Sequence, residues 1–238
     1  CLASRKDLRD SVTAARAAQH GWAKATAYNR GQILYRIAEM LEGRAEQCAA
    51  EISTTTAITP LKAQSMVSEA IDRWVWYAGW SDKLSAVTGA TNPVAGPYYN
   101  FTIPEPLGVV VVTASDSFID FIDAIAAAVV SGNSVIALVD GGLSVPAMTF
   151  AEVLATSDLP AGVINILTGS LDELAPWAAS HMDVDGFDIS AISKKKRAEL
   201  KVAGAENLKR IYIADGKLTP SRILAFMEQK TVWHTIGV

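Results

Sequence analysis

Apolar and polar residues follow two alternating patterns along the second half of the chain. Short apolar runs rich in Val and Ile predict buried strands at Val109–Thr113, Ser134–Leu138, Val163–Leu167, Gly186–Ile189 and Arg210–Ile213. Longer segments with helical spacing of apolar residues predict helices at Phe118–Ser131, Val145–Ala155, Leu171–Ser180 and Ser193–Gly204. Strands that alternate with helices in this way indicate a doubly wound parallel sheet, an α/β fold.

The first third of the chain is predicted to be helical. Ser4 and Asp7 resemble a capping box, and Ile33, Ile37 and Leu41 mark one face of a helix that Gly43 ends. A long amphipathic pattern follows between residues 67 and 78. Residues 89–97 are rich in Gly, Pro and Asn and predict a connector, and Tyr98–Ile103 predicts a short strand.

These patterns predict four regions. Residues 1–84 form a helical segment that packs on the α/β domain, and residues 85–106 form a connector with a β excursion. Residues 107–217 form the α/β domain, and residues 218–238 form a C-terminal helix, beginning at Thr219, and a tail. Because ligands of open α/β sheets bind at the carboxyl ends of the strands, chemistry is expected at residues 113–117, after the first strand of the domain.

Composition excludes several classes of protein. The 238 residues are 50% hydrophobic with a net charge of −4, which is typical of a core-forming protein and argues against a nucleic-acid partner. The basic run of residues 194–197 is interpreted as a solvated helix face. Asp116, Asp120 and Asp123 interrupt the best candidate for a membrane span, and the beginning of the chain lacks a secretory pattern. We therefore predict a cytoplasmic protein without membrane contact.

Cysteine and histidine do not indicate a metal site or a disulfide framework. Cys48 lies in a helical pattern, where a small buried apolar residue is expected, and Cys1 begins the chain in undefined surroundings. The three histidines, His20, His181 and His234, lack the spacing of zinc ligands. No metal ligand is therefore assigned.

Several short blocks occur in the order found in aldehyde dehydrogenases. They are Gly21-Trp22, Asn29-Arg30, Leu41-Glu-Gly-Arg44, Glu105-Pro-Leu-Gly108, Gly132-Asn133, Leu159-Pro-Ala-Gly-Val163, Asn165-Ile-Leu-Thr-Gly169, Asp183-Val-Asp185 and Asn207-Leu-Lys-Arg210. Over roughly residues 5–217 the chain resembles the N-terminal, NAD-binding half of that family. The resemblance implies a Rossmann-like domain of five strands and a β excursion used in oligomer contacts. The chain has no Gly-x-Gly-x-x-Gly loop.

The catalytic groups that the resemblance implies are absent at the aligned positions. The nucleophilic cysteine of the family lies in a second domain, which we expect this chain to lack. The oxyanion-binding Asn of the family aligns with Ser117, beside Asp116, and its general-base Glu aligns with Ala214. Strand alternation would direct the neighbouring Asp215 to the opposite face. No catalytic residue is therefore assigned.

The cofactor groups of the family are also replaced. Its Lys-Pro-x-Glu motif, which binds the adenosine ribose, aligns with residues 138–141, and its Phe-Thr-Gly-Ser turn aligns with residues 189–192, where Ala191 adds a methyl group. The remaining, vestigial cofactor positions are Thr113, Ala114, Ser117 and Gly169. We expect no bound cofactor, and NAD is the alternative that the resemblance leaves open.

Three hypotheses follow from this reading. The first is a noncatalytic aldehyde-dehydrogenase-like protein that is a scaffold or oligomerisation partner of an active relative. The second is a portion of an NAD-dependent aldehyde dehydrogenase that a separate cysteine-bearing domain completes. The third is a dinucleotide-binding module without chemistry. Because a missing second domain would leave an apolar surface exposed, we predict a homo-oligomer or a hetero-oligomer with a full-length aldehyde dehydrogenase.

Overall fold

A computed structural model describes residues 2–237, so Cys1 lies outside the described part of the chain. Five helices come first: α1 Arg5–Lys24, α2 Ala27–Glu42, α3 Ala45–Thr56, α4 Pro60–Trp80 and α5 Leu84–Thr88. Two strands follow, β1 Ala90–Asn92 and β2 Tyr98–Pro106. The Asp7 carboxylate accepts hydrogen bonds from the backbone N–H of Ser4 at 2.8 Å and from its hydroxyl at 2.7 Å. The predicted cap of α1 is therefore present.

The second half of the chain alternates between strands and helices. Its elements are β3 Val109–Ala114, α6 Phe118–Val129, β4 Ser134–Val139, α7 Ser144–Ala155, β5 Ile164–Thr168, α8 Leu171–Ser180, β6 Gly186–Asp188, α9 Lys194–Ala205 and β7 Arg210–Tyr212. These strands form a five-stranded parallel sheet in the order β5-β4-β3-β6-β7. The predicted α/β fold with a doubly wound parallel sheet of five strands is confirmed.

The central strand β3 divides the core into two layers. Val110 and Val112 belong to an apolar cluster with helices α2, α3, α4, α6 and α7. Val109 and Val111 belong to a second cluster with α1, α8 and residues of α9. Successive side chains of a strand point to opposite faces, so a run of valines suits a strand that helices cover on both sides. The N-terminal helices therefore complete both faces of the sheet.

One glycine is required where β3 begins. Gly108 has a φ of +135°, and a Cβ at this position would clash with the carboxylate of Asp185. That carboxylate accepts the backbone N–H of Val109 at 2.7 Å and a hydrogen bond from Arg16 Nη2 at 2.7 Å. Gly108 thus lets the entry of β3 approach β6 and α1 closely.

The last residues form a strand that the sequence pattern does not predict. After the short helix α10, Pro220–Leu224, strand β8, Met227–Thr235, pairs antiparallel with the whole of β2. The expected C-terminal tail is therefore the edge strand of a second, three-stranded sheet in the order β1-β2-β8. β2 is also longer than predicted, and the predicted connector region, residues 85–106, contains β1 and all of α5 except Leu84. Both faces of β8 are largely exposed, so its sequence lacks the apolar alternation of a half-buried strand.

Of the two sheets, the small one carries the exposed large apolar side chains. Tyr98, Tyr99 and Trp233 are 41%, 49% and 60% exposed, and the rings of Tyr98 and Trp233 meet edge to face, 5.8 Å apart. Across residues 2–237, none of the helices combines the length and apolar character that crossing a membrane requires.

Candidate functional site

A cavity of about 270 Å³ lies at the carboxyl ends of β3 and β6. Its lining residues come from the end of β3, the first turn of α6, the segments after β6 and β7, and α10: Thr113, Ala114, Ser115, Asp116, Ser117, Asp120, Ser190, Ala191, Ala214, Gly216 and Arg222. This is the edge of an open α/β sheet at which ligands bind. Three of the four predicted cofactor positions, Thr113, Ala114 and Ser117, therefore line one cavity.

The hydroxyl groups of this cavity are engaged with the protein itself. Thr113 Oγ1 donates to the carbonyl oxygen of Asp188 at 2.9 Å and accepts the N–H of Ala191 at 3.2 Å. Ser190 Oγ donates to the Asp188 carboxylate and accepts the N–H of Ala214 at 2.7 Å. These hydroxyls tie the ends of three strands together, so they are positioned as structural groups.

The rim of the cavity carries two carboxylates. Ser117 is the N-cap of α6, since its hydroxyl accepts the N–H of Asp120 at 3.2 Å. Ser115 Oγ donates to the Asp116 carboxylate at 2.8 Å. The positive end of a helix normally attracts anions, but Asp116 and Asp120 at this end already supply negative charge. The rim consequently opposes a ligand that brings phosphates to α6.

Arg222, which lines the cavity, belongs to a cluster of four charged side chains, three of them buried. Arg222 of α10 donates to Asp188 at 3.3 Å and lies 3.6 Å from the carboxylate of Asp123 in α6. Asp123 also pairs with Arg73 of α4. Burial raises the pKa of Asp188 and of Asp123, and the nearby guanidinium groups oppose this rise. The cluster joins the N-terminal helices, the central sheet and the C-terminal segment.

The fourth predicted cofactor position lies elsewhere. Gly169 follows β5, is buried, and does not line the cavity with the other three. Its N–H donates to the carbonyl of Val139 at 2.9 Å, and a Cβ on it would lie 3.2 Å from the backbone of Ala3. The segment that precedes α1 therefore covers Gly169.

The positions that align with the ribose-binding motif and the general base of the family carry no side chains that could replace those groups. Leu138 is fully buried, and the Asp140 carboxylate accepts the N–H groups of Gly141 at 2.7 Å and Leu171 at 3.2 Å. Ala214 lines the cavity, whereas Asp215 is exposed and accepts the N–H of Lys217 at 3.1 Å. The Asp140 carboxylate is thus engaged in hydrogen bonds to backbone N–H groups, one of them at the start of α8. Asp215 does not line the cavity.

The residues that line the cavity do not include the side chains that most often act as nucleophiles or zinc ligands. None of its lining residues is Cys, His or Lys. Cys48 is buried in the core, where burial raises its pKa to about 11. Within residues 2–237 no three His, Cys, Asp or Glu side chains are grouped as metal ligands would be.

Comparison with known proteins identifies the family. The model of the aldehyde dehydrogenase family matches residues 2–228, almost the whole chain. The chain belongs to the aldehyde dehydrogenase family. The predicted resemblance to the N-terminal, NAD-binding half of that family is confirmed.

Individual aldehyde dehydrogenases and related enzymes show the extent of the match. An aldehyde dehydrogenase of Emericella nidulans is 28% identical in an alignment 241 positions long, which covers 99% of this chain and 48% of that protein. The cytosolic 10-formyltetrahydrofolate dehydrogenase of Mus musculus is 30% identical over 94% of this chain and 26% of that protein. An NAD-dependent aldehyde dehydrogenase from Sinorhizobium meliloti has a TM-score of 0.81 at 25% identity over 88% of this chain and 42% of that one. This aldehyde-dehydrogenase-like chain therefore spans at most about half the length of these relatives.

Sequence reasoning did not find the charged cluster to which Arg222 belongs. Asp188 ends the apolar strand β6, and Asp123 lies in helix α6, where Asp120 is the only other charged residue. A carboxylate within a largely apolar element is the sequence feature that could have indicated this cluster, since a buried charge requires a partner. Its partner Arg222 is 34 residues away from Asp188, so spacing along the chain gives no indication of the pair.

Proposed function

We propose that this member of the aldehyde dehydrogenase family is noncatalytic and acts as a scaffold or oligomerisation partner of an active aldehyde dehydrogenase. The observation that carries the proposal is the composition of the cavity at the carboxyl ends of β3 and β6. It offers hydroxyls that bond within the protein, two carboxylates on its rim, and a guanidinium that is already paired.

Aldehyde oxidation by this family needs a thiolate nucleophile, and the cavity supplies none. The thiol of Cys48 is buried among apolar side chains, and its pKa of about 11 keeps it protonated at neutral pH. Ser115 and Ser117 are hydroxyls without a neighbouring base other than a carboxylate, which is too weak a base to activate them strongly. Among residues 2–237, hydride transfer from a covalent intermediate therefore has no starting group, and a thiolate would have to come from a separate domain.

Cofactor binding is disfavoured by charge and by shape. A dinucleotide carries a pyrophosphate, which Asp116 and Asp120 repel at the N-terminus of α6. The methyl group of Ala191 lines the cavity where backbone approach to phosphates calls for Gly. Leu138 and Asp140 leave the ribose without the paired ammonium and carboxylate of the family. We accordingly propose that NAD is not a resident cofactor.

A role in assembly is supported by the small sheet. A small sheet of two long strands and one short strand, whose edge strand β8 is largely exposed, gains stability when a partner covers it. Its strand β8 is an edge, and Tyr99 and Trp233 are large exposed aromatic side chains of the kind enriched at interfaces. We propose that a second copy of this chain or a full-length relative contacts this sheet.

A second candidate function has one observation in its favour. Because the chain matches about half of the Emericella nidulans enzyme, it could be one portion of an NAD-dependent aldehyde dehydrogenase that a separate cysteine-bearing domain completes. Neighbouring structures include an NAD⁺ complex of a Bacillus cereus aldehyde dehydrogenase with a TM-score of 0.81 at 24% identity, which supports the fold alone. The two candidates differ in whether NAD binds.

Calorimetric titration of NAD and NADP against the purified chain separates them. The noncatalytic proposal expects no heat of binding in the micromolar range and no aldehyde-dependent reduction of NAD. Micromolar binding of NAD would favour the second candidate, in which the chain is one portion of an NAD-dependent aldehyde dehydrogenase. Turnover that survives removal of contaminating dehydrogenases would overturn the noncatalytic proposal. Co-purification with a tagged full-length aldehyde dehydrogenase tests the assembly role, and a stable monomer that captures no relative would contradict it.

A further inference from the structure

The outer edge of strand β8 pairs with no other strand among residues 2–237. β8 is the last strand of the small sheet, whose order is β1-β2-β8, and it pairs antiparallel with β2. All of its residues except Met227 and Val232 are exposed. An exposed edge strand is a template on which a strand of another chain can pair. The chemistry of this edge therefore decides which strand fits it.

Hydrogen bonds at the two ends of the β2–β8 ladder show which residues of β8 point outward. The N–H of Leu107 donates to the carbonyl oxygen of Phe226 at 3.2 Å, and the N–H of Ile236 donates to that of Pro97 at 2.8 Å. Both pairs continue the register of the two strands, which contains no bulge. Opposite residues of antiparallel strands alternate between hydrogen-bonded and non-hydrogen-bonded pairs. The even-numbered residues of β8 therefore bond to β2, and the odd-numbered ones direct their N–H and C=O groups away from it.

The two prolines of β2 agree with this alternation. Pro104 lies opposite Gln229, and Pro106 lies opposite Met227. Proline has no N–H to donate, so within a strand it suits a position that exchanges no hydrogen bond with the neighbouring strand. Gln229 and Met227 are both odd-numbered, as the alternation requires.

Three successive odd-numbered residues of the edge have unpaired backbone groups. The carbonyl of Met227 accepts a hydrogen bond from Arg210 Nη1, so the beginning of the edge is occupied. Beyond it, the outward N–H and C=O groups of Gln229, Thr231 and Trp233 have no hydrogen-bond partner within residues 2–237. These groups lie on alternate residues of one strand, so they match the spacing of a further antiparallel strand.

A second copy of β8 fits this edge when the two strands run antiparallel about Thr231. Thr231 of one copy then lies opposite Thr231 of the other, and Gln229 lies opposite Trp233. All three residues are odd-numbered, so each outward N–H meets an outward carbonyl. The two-fold axis at Thr231 makes the contact of Gln229 with Trp233 occur twice, and Trp233, which is 60% exposed, gains a neighbour on its own face of the sheet. The unpaired groups of the edge thus satisfy one another.

Charged side chains are complementary in this register. With Thr231 at the centre, Glu228 lies opposite His234 of the second copy, whose ring N–H donates well to a carboxylate. Oε1 of Glu228 lies 3.6 Å from Arg210, which leaves Oε2 for this contact. The symmetry supplies two such pairs, one on each side of the axis.

The neighbouring registers are less suitable. A centre at Lys230 places two ammonium groups opposite each other, and a centre at Val232 places Lys230 opposite His234. Like charges directly opposite are destabilising. A centre at Gln229 requires the carbonyl of Met227, which is already occupied. Charge and backbone together therefore favour the centre at Thr231.

We propose that β8 binds β8 of a second copy of this chain in an antiparallel pair centred on Thr231. The pair joins two small sheets of three strands into one sheet of six. Backbone hydrogen bonds supply the attraction, and Glu228, His234 and Lys230 set the register. This inference rests on the assembly role proposed above, and it specifies both the partner and the contact.

Sedimentation velocity of two charge variants tests the register. Thr231→Lys and Thr231→Glu each place like charges opposite each other across the axis, so each alone should dimerise at least about fivefold more weakly than the original chain. An equimolar mixture of the two should regain the dimer, because opposite charges meet only if residue 231 faces itself. Thr91→Lys and Thr91→Glu, at an exposed position of β1, are the matched controls and should leave dimerisation unchanged, alone and mixed.

Hydrogen exchange of the original chain tests the contact without any substitution. The amides of Gln229, Thr231 and Trp233 should exchange more slowly as the protein concentration rises, because they become bonded in the dimer. The amides of Lys230 and Val232 already bond to β2, so their exchange should not respond to concentration. Equal response of both sets would contradict the pairing of strand edges.

The outcomes separate this inference from the assembly role. A chain that is monomeric at every concentration would overturn the inference, whereas capture of that monomer by a tagged full-length aldehyde dehydrogenase would leave the assembly role standing with another partner. A dimer that both Thr231 variants leave intact would overturn the contact at β8 alone. Two weakened variants whose mixture stays monomeric would overturn the register. The circular dichroism of each variant, measured first, ensures that a lost dimer is read from a folded chain.

Discussion

Arg222 and Asp188, 34 residues apart in the chain, form an ion pair at 3.3 Å with exposures of 4% and 0%. Arg222 belongs to α10, which leads directly into β8, whereas Asp188 ends β6 in the central sheet. The pair therefore fastens the C-terminal segment to the floor of the cavity at the carboxyl ends of β3 and β6. Nothing else in the segment carries a buried charge among the described residues.

Replacing Arg222 by Met should destabilise the protein strongly. The substitution removes one partner of a buried pair and leaves the carboxylates of Asp188 and Asp123 short of positive charge. Breaking a buried pair in this way costs about 3–5 kcal/mol. Urea unfolding followed by circular dichroism measures the change in the free energy of unfolding.

The matched control for Arg222→Met is Lys217→Met, which removes an exposed cation and should change stability by less than about 0.5 kcal/mol. The double variant Arg222→Met with Asp188→Asn should recover part of the loss, because one uncompensated charge disappears with the cation. Equal stability of Arg222→Met and the original chain would show that the pair does not hold the segment.

Stability should rise with pH on the alkaline side because of Lys209. Burial lowers the pKa of Lys209 to about 8, a shift that the nearby Asp185 opposes, from a usual value of 10.5. A lysine whose pKa is depressed in the folded state contributes stability above its unfolded pKa, and this contribution is lost as pH falls through its folded pKa. The free energy of unfolding should thus increase as pH rises from about 8 to about 10.5.

Lys209→Met isolates this effect from other titrating groups. The difference in free energy of unfolding between Lys209→Met and the original chain should vary over that pH range, whereas the difference for the exposed Lys201→Met should stay constant. A flat difference for Lys209→Met would mean that the amine titrates as it does in the unfolded chain.

Self-association or association with a relative should depend on the small sheet. Changing both Tyr99 and Trp233 to Ser removes two exposed rings from neighbouring strands of that sheet. Sedimentation velocity should show a shift to lower mass, with circular dichroism unchanged. Leu208→Ser, at a position that is 94% exposed outside the sheet, should leave the mass unchanged. An unchanged mass of the double variant would show that another surface makes the contact.

The strands of the central sheet could be predicted because each is marked by a short apolar run in its own sequence. The valines of β3 and the apolar run of β4 are each buried on both faces, and such runs are recognisable without knowledge of their neighbours. The observed ends of β3, Val109–Ala114, differ from the predicted ones by a single residue. The position of Thr113, Ala114 and Ser117 at one cavity follows from the rule for the carboxyl ends of strands.

The parts that were not predicted depend on contacts between distant segments. β8 mixes Glu228, Lys230 and Trp233 on exposed faces, and only its pairing with β2, more than a hundred residues earlier, makes it a strand. Gly169 is a predicted cofactor position in the sequence, but the residues before α1 cover it in the fold. The roles of Arg222 and Asp123 likewise exist only in three dimensions.

Neutralising the rim carboxylates separates cofactor binding from catalysis. In the double variant Asp116→Asn with Asp120→Asn, the positive end of α6 is no longer opposed by two negative charges, so affinity for NAD should increase. Calorimetry at low ionic strength, where exposed charges are least screened, measures the gain. Aldehyde-dependent reduction of NAD should stay absent in the same variant, because no residue lining the cavity is a cysteine, histidine or lysine. Glu42→Gln with Asp72→Asn, at exposed positions that do not line the cavity, changes the net charge by the same amount and should leave NAD affinity as it was. Turnover in the rim variant would mean that a group other than those lining the cavity performs the chemistry, and the noncatalytic proposal would then fail.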